Sequence, residues 1–176
     1  MQIIREILTQ RALYLIPDGE PVMLDTKGLR SNSVTASDIR SGTHEIIEGP
    51  APELWVAGAL SYNAGVWSVL DQEAVTAAQE YQTAQNRLAL RADIVQQTQA
   101  RLDHFAQTRN YDSIMSACTY ASSSIPKFAA EGQYAVSIRD ATWAALYALL
   151  ADVQSGAAPM PASFTDVVLP ELVWPT

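Results

Sequence analysis

The stretch "DQEAVTAAQEYQTAQNRLALRADIVQQTQARLDHFAQTR", Asp71 to Arg109, decides the fold. It contains no glycine or proline, and Ala, Gln, Leu and Arg dominate it. Such residues give up little freedom in a helix. Asp71 is placed to cap the N-terminus, and Ala74 and Val75 open an apolar stripe. Ala77, Tyr81, Ala84, Leu88, Val95, Leu102 and Phe105 continue it at three- and four-residue steps, with Arg91 and Thr98 at the two remaining positions. The spacing predicts a heptad-like packing seam. At 1.5 Å per residue the helix would be ~55 Å long, so it must pack on a partner, within the chain or between copies.

C-terminal to this stretch the spacing predicts two more helices, over about 112–122 and about 126–154. Pro126 suits the first turn of the second, with Ser124 as its N-cap, and Gly156 suits its stop. Val136, Trp143, Leu146, Leu150 and Val153 line one stripe of that helix, and Arg139 falls on the same stripe. The expected helix-packing seam therefore joins Tyr81, Leu88, Val95, Leu102 and Phe105 to Val136, Arg139, Trp143, Leu146 and Leu150. Arg139 on an apolar stripe calls for a facing carboxylate that fixes register, from Glu131, Asp93 or Asp103. The end, "GAAPMPASFTDVVLPELVWPT", is proline-rich and reads as extended. Its Phe164, Leu169, Leu172 and Trp174 are expected to dock on a partner.

N-terminal to the long helix the chain reads as β-rich. Two apolar runs, Ala12–Ile16 and Val22–Leu24, flank "PDGE" and predict a hairpin. "KGLRSNSVTASDIRSGT" reads as a polar loop with at most one helical turn, and "HEIIE" as a strand. Leu54–Tyr62 and Val66–Leu70 flank "NAG" and predict a second hairpin, with Trp55 and Trp67 on its two arms. The fold class is α+β, divided into a β-rich part (1–70), a helical bundle (71–155) and an extended apolar tail (156–176).

The 176 residues carry a net charge of −8, with 11 Lys and Arg in no long run. A phosphate-binding face needs more basic charge, so nucleic acid is not an expected partner. No apolar run reaches the ~20 residues that span a bilayer, and "MQIIREILTQ" lacks the features of a signal peptide. Synthesis in the cytoplasm is the expectation. The one cysteine forms no internal disulfide.

That cysteine, Cys118, lies in "SACTYASSSIPKF" with His104 upstream. A cysteine nucleophile needs a depressed pKa and an adjacent base, and no cysteine-enzyme motif surrounds either residue. Free cysteines are commonly buried, so a structural Cys118 is expected and no catalytic residue is assigned. Asp18, Glu20 and Asp25 lack the ligand spacing of a calcium loop. No glycine-rich phosphate loop is present, and two His with one Cys do not make a structural zinc set. No cofactor and no metal is expected.

Several segments resemble the helical C-terminal region of tailed-bacteriophage tail proteins, including tail-fibre and tail-fibre-assembly-like proteins. They are the long helix ending "LDHFAQTRNYDS", the "CTYASS" joint, "PKFAAEG" and "RDATWAALYALL". "LWVAGALSYNAGVWSVLD" is similar to the short β segment that leads into this region, so the resemblance covers about 54–156. It implies a non-enzymatic structural component of a phage tail, at the tail tip, baseplate or fibre, that binds other tail proteins. A homo-oligomer, most simply a trimer, fits the seam. A tail-fibre assembly chaperone is the alternative, and a cysteine-dependent hydrolase ranks behind both.

Overall fold

The computed structural model describes residues 1–175; Thr176, the last residue of the expected tail, lies outside the described residues. The fold is α+β: small antiparallel sheets precede three α-helices. The chain forms two compact units, Met1–Ala84 and Gln85–Thr176, with the boundary inside the long helix.

The first unit opens with β1 (Gln2–Glu6), the central strand of a sheet ordered β2–β1–β6, where β2 is Ala12–Ile16 and β6 is His44–Glu48. Ile3 and Ile4 are both fully buried because successive side chains leave a strand on opposite faces. Ile3 packs with Ala12 and Tyr62, whereas Ile4 packs with Ile16, Leu29 and Ile39. A central strand covered on both faces reads as consecutive apolar residues without alternation.

The hairpin expected around Pro17–Glu20 does not form. Ala12–Ile16 pairs with β1, and the chain passes on into a second sheet. That sheet is ordered β3–β4–β5, with β3 at Met23–Asp25, β4 at Gly28–Arg30 and β5 at Thr35–Ala36. Strands β4 and β5 lie where the sequence predicts a polar loop. The Asp25 carboxylate closes the β3–β4 turn by accepting from the Lys27 and Gly28 amides at 2.7 and 3.1 Å. Gly28 has φ +138°, and a Cβ there would sit 2.7 Å from the Ala36 carbonyl oxygen.

The second expected hairpin is present as β7 (Leu60–Asn63) and β8 (Val66–Val69). Ala64 and Gly65 both have positive φ, +49° and +86°, the pattern of a two-residue turn matched to strand twist. Trp55 and Trp67 meet edge to face with centroids 6.2 Å apart.

Helix α1 runs from Gln72 to Gln107. The Asp71 carboxylate accepts from the Ala74 amide at 3.0 Å, which is the predicted cap. Asn110 ends this helical segment in the left-handed region, φ +64°, where asparagine is better tolerated than most side chains. Helix α2 spans Ile114–Thr119, followed by a 3-10 turn at Tyr120–Ser122. Helix α3 spans Pro126–Ser155, with Pro126 at its first turn and Gly156 closing it at φ +79°. Its N-cap is Ile125 and not Ser124; Ser123 Oγ accepts from the Ile125 amide at 3.2 Å. No helix among the described residues is long and apolar enough to cross a membrane.

The core of the second unit is Leu102, Phe105, Ala106, Tyr111, Ile114, Ala117, Ala135 and Ile138. The Asp103 carboxylate accepts from the Ile114 amide at 2.9 Å, so α1 supplies an acceptor for the first turn of α2.

Candidate functional site

The small residues of the 116–128 joint serve close packing. Gly132 of α3 is buried against the 3-10 turn, and a Cβ there would lie 2.3 Å from the Ala121 amide nitrogen and 2.4 Å from the Tyr120 carbonyl carbon. Tyr120 packs edge to face on Tyr111 and on Phe128. Cys118 is half-buried on α2, and burial pushes its thiol up; the Arg139 guanidinium, 3.8 Å from Sγ, opposes this less strongly. His104 is exposed in the last turn of α1, and among the described residues no hydrogen bond joins it to Cys118. A raised thiol pKa lowers the thiolate fraction that a nucleophile requires.

Arg139 takes none of the carboxylates expected for it. It pairs with its neighbour Asp140 at 2.6 Å and reaches the Met115 sulfur at 3.4 Å. Glu131 is the buried carboxylate, only 4% exposed. It accepts from Arg109 Nη1 at 2.8 Å and from the Tyr111 hydroxyl at 2.7 Å. Both donors come from the segment that follows α1, so the pair ties the end of one helix to the next long helix. Burial and the hydrogen bond to Glu131 push the Tyr111 hydroxyl up to about 12. Of the acids in the first unit, Glu20 accepts from the Ser33 amide and hydroxyl, both at 2.8 Å. Asp25 is engaged with its turn and with Arg30. Both acids are held below the ordinary carboxylate range, Glu20 by the hydroxyls of Ser31 and Ser33 and by the Ser33 amide, Asp25 by the Lys27 amide and by Arg30.

The sequence predicts a tail that docks on a neighbour, but Leu172 and Trp174 pack on the core of their own unit. Trp174 stacks on Phe105 with centroids 4.4 Å apart and planes 13° apart, and its indole donates to Thr108 Oγ1 at 3.0 Å. The Val173 amide donates to the Tyr134 hydroxyl at 3.1 Å, and Arg101 Nη2 donates to the Pro170 carbonyl at 2.6 Å. Phe164 and Leu169 are half-buried and line a cleft with Arg101. Trp174→Ala is expected to lower stability by about 2 kcal/mol, below the range for a fully buried aromatic because this ring is only partly buried. Urea denaturation followed by circular dichroism measures it, and an unchanged midpoint would detach the tail from the core.

The seam residues divide. Leu102, Phe105 and Leu146 are buried, and Val136, Arg139, Trp143 and Leu150 are half-buried. Tyr81, Leu88 and Val95 are 68%, 59% and 42% exposed in the single chain. Within the second unit, Ile94 and Val95 of α1 line an apolar cavity of about 410 Å³ with Trp143, Leu146 and Leu150 of α3, and Met160 and Pro161 contribute to its wall. Arg91 is its one charged lining residue. Spacing identified the stripe; it carried no signal for which stretch the chain itself covers.

Compared with protein-family models, curated proteins and solved structures, the chain matches none.

Proposed function

We propose that this chain is a structural component of a bacteriophage tail, at the tail tip, baseplate or fibre. It acts through contacts with other tail proteins and with further copies of itself, as a trimer, and resides in the virion tail after synthesis in the host cytoplasm. The observation that carries this reading is the open apolar stripe of the long helix, with Leu88 and Val95 exposed and Val95 lining an apolar cavity. Apolar helix faces of this kind are characteristic of assembly surfaces. The motif resemblance over about 54–156 supplies the phage context. The reading needs no catalytic residue, cofactor or metal.

A second reading, a tail-fibre assembly chaperone that leaves before the virion is complete, is favoured by the same cavity, whose apolar walls suit transient cover of another chain's apolar segment. Quantitative mass spectrometry of purified virions separates the two. Stoichiometric presence is expected for the structural component. Expression in infected cells with absence from the particle would transfer the assignment to the chaperone.

A further inference from the structure

The cavity between α1 and α3 of the second unit measures about 410 Å³, within the size range of small-molecule sites. Ile94 and Val95 of α1, Trp143, Leu146 and Leu150 of α3, and Met160 beyond the end of α3 wall it on three sides. Arg91 is the one charge on this lining, and it forms no ion pair among the described residues. Arg91 is also exposed to solvent, so the charge stands at the edge of the cavity and not in its depth.

Volume and polarity decide what can enter. Trp143 and Val153 both line the cavity, so its α3 wall runs for ~15 Å. A helix of ~10 Å diameter laid along that wall would need on the order of 1,000 Å³, well above the space present. An extended peptide brings amide N–H groups, and of the lining side chains only the Tyr147 hydroxyl and the weakly accepting Met160 sulfur can receive them. A buried amide left unpaired is costly. A hydrocarbon chain is thin and brings no such groups, and a carboxylate head matches the free guanidinium. We propose that this cavity binds a medium-chain fatty carboxylate, with the chain along α3 and the carboxylate on Arg91.

This inference goes beyond the tail-assembly reading and does not rest on it: Tyr81 and Leu88, the most exposed residues of the open stripe, do not line the cavity. Its test is isothermal titration calorimetry of the purified full chain with sodium decanoate and with decyltrimethylammonium, which has the same chain and the opposite head charge. Arg91→Gln and Val95→Trp are measured beside the wild type, the second to fill the cavity. Both positions are exposed, so each variant should keep the wild-type helix content by circular dichroism. One decanoate per chain is expected to bind the wild type, with affinity lowered tenfold or more in Arg91→Gln and lost in Val95→Trp. A wild type with no saturable decanoate binding overturns the inference, and sedimentation velocity then shows whether a second copy covers the face instead. Decyltrimethylammonium binding as tightly as decanoate, or decanoate binding unchanged in both variants, overturns it as well.

Discussion

Glu131→Ala is expected to destabilise the second unit by about 2–4 kcal/mol, from an orphaned buried hydroxyl and the cavity left by the side chain. The residue is 4% exposed, and its carboxylate holds two donors, Arg109 and Tyr111. Once it is gone, Arg109, with 37% of its side chain exposed, can turn to water. The buried Tyr111 hydroxyl cannot do so as easily, and the emptied volume adds a cavity penalty. Glu131→Gln keeps the shape and an acceptor for Tyr111, so about 1.5–3 kcal/mol is expected, the range for a hydrogen bond to a charged group. Urea titrations of the three proteins measure this. A Glu131→Ala midpoint indistinguishable from wild type would remove the pair from the account of stability.

The same pair gives alkaline pH a defined effect. Tyr111 holds its proton up to about 12 in the folded chain, against an ordinary value of 10.0. A group whose folded pKa is raised contributes stability that is complete below the unfolded pKa and is lost as pH rises through the folded one. The stability advantage of wild type over Tyr111→Phe should therefore be constant below pH 10 and shrink between pH 10 and 12. An advantage that grows across this window would reverse the assignment.

The second large effect belongs to Gly132. In Gly132→Ala the added Cβ would lie 2.3 Å from the Ala121 backbone nitrogen and 2.8 Å from its Cα. The obstacle is main chain, so no rotamer change relieves it, and α3 must move off the 3-10 turn. The expected loss is about 3 kcal/mol, at the upper end of the range for overpacked cores. Gly132 has no positive φ, so alanine would otherwise favour the helix by about 1 kcal/mol, which makes the sign of the change diagnostic. Thermal denaturation showing Gly132→Ala more stable than wild type would mean that the helix and the turn are not in this close contact.

The long helices were legible because α1 excludes glycine and proline, because α3 has proline only at its first residue and a single internal glycine, Gly132, and because Asp71, Pro126 and Gly156 mark their limits. Strand β1 escaped notice because Ile3 and Ile4 are buried on opposite faces and show no alternation. Strand β5 is only Thr35–Ala36, too short for any period to register. The "PDGE" turn was recognised as a turn but assigned the wrong partners, since a turn signal does not say which strands pair. The seam was legible as a stripe, yet spacing is the same whether a face is covered by its own chain or left open. The role of Glu131 was obscured by Arg139, the more conspicuous charge on the same helix. Arg109 and Tyr111, immediately after the end of α1, were the available signal for its true partners.

The order in which the second unit assembles follows from where Trp174 and Pro170 attach. The close approach of Gly132 to Ala121 links residues eleven positions apart. Trp174 reaches Thr108 across 66 positions and Arg101 reaches Pro170 across 69. Short loops close at lower entropic cost, so the joint and α3 form early and the tail is laid on last. The segment that completes the core is thus expected to be the first to leave it, and its departure would uncover the face of Phe105 on which Trp174 stacks.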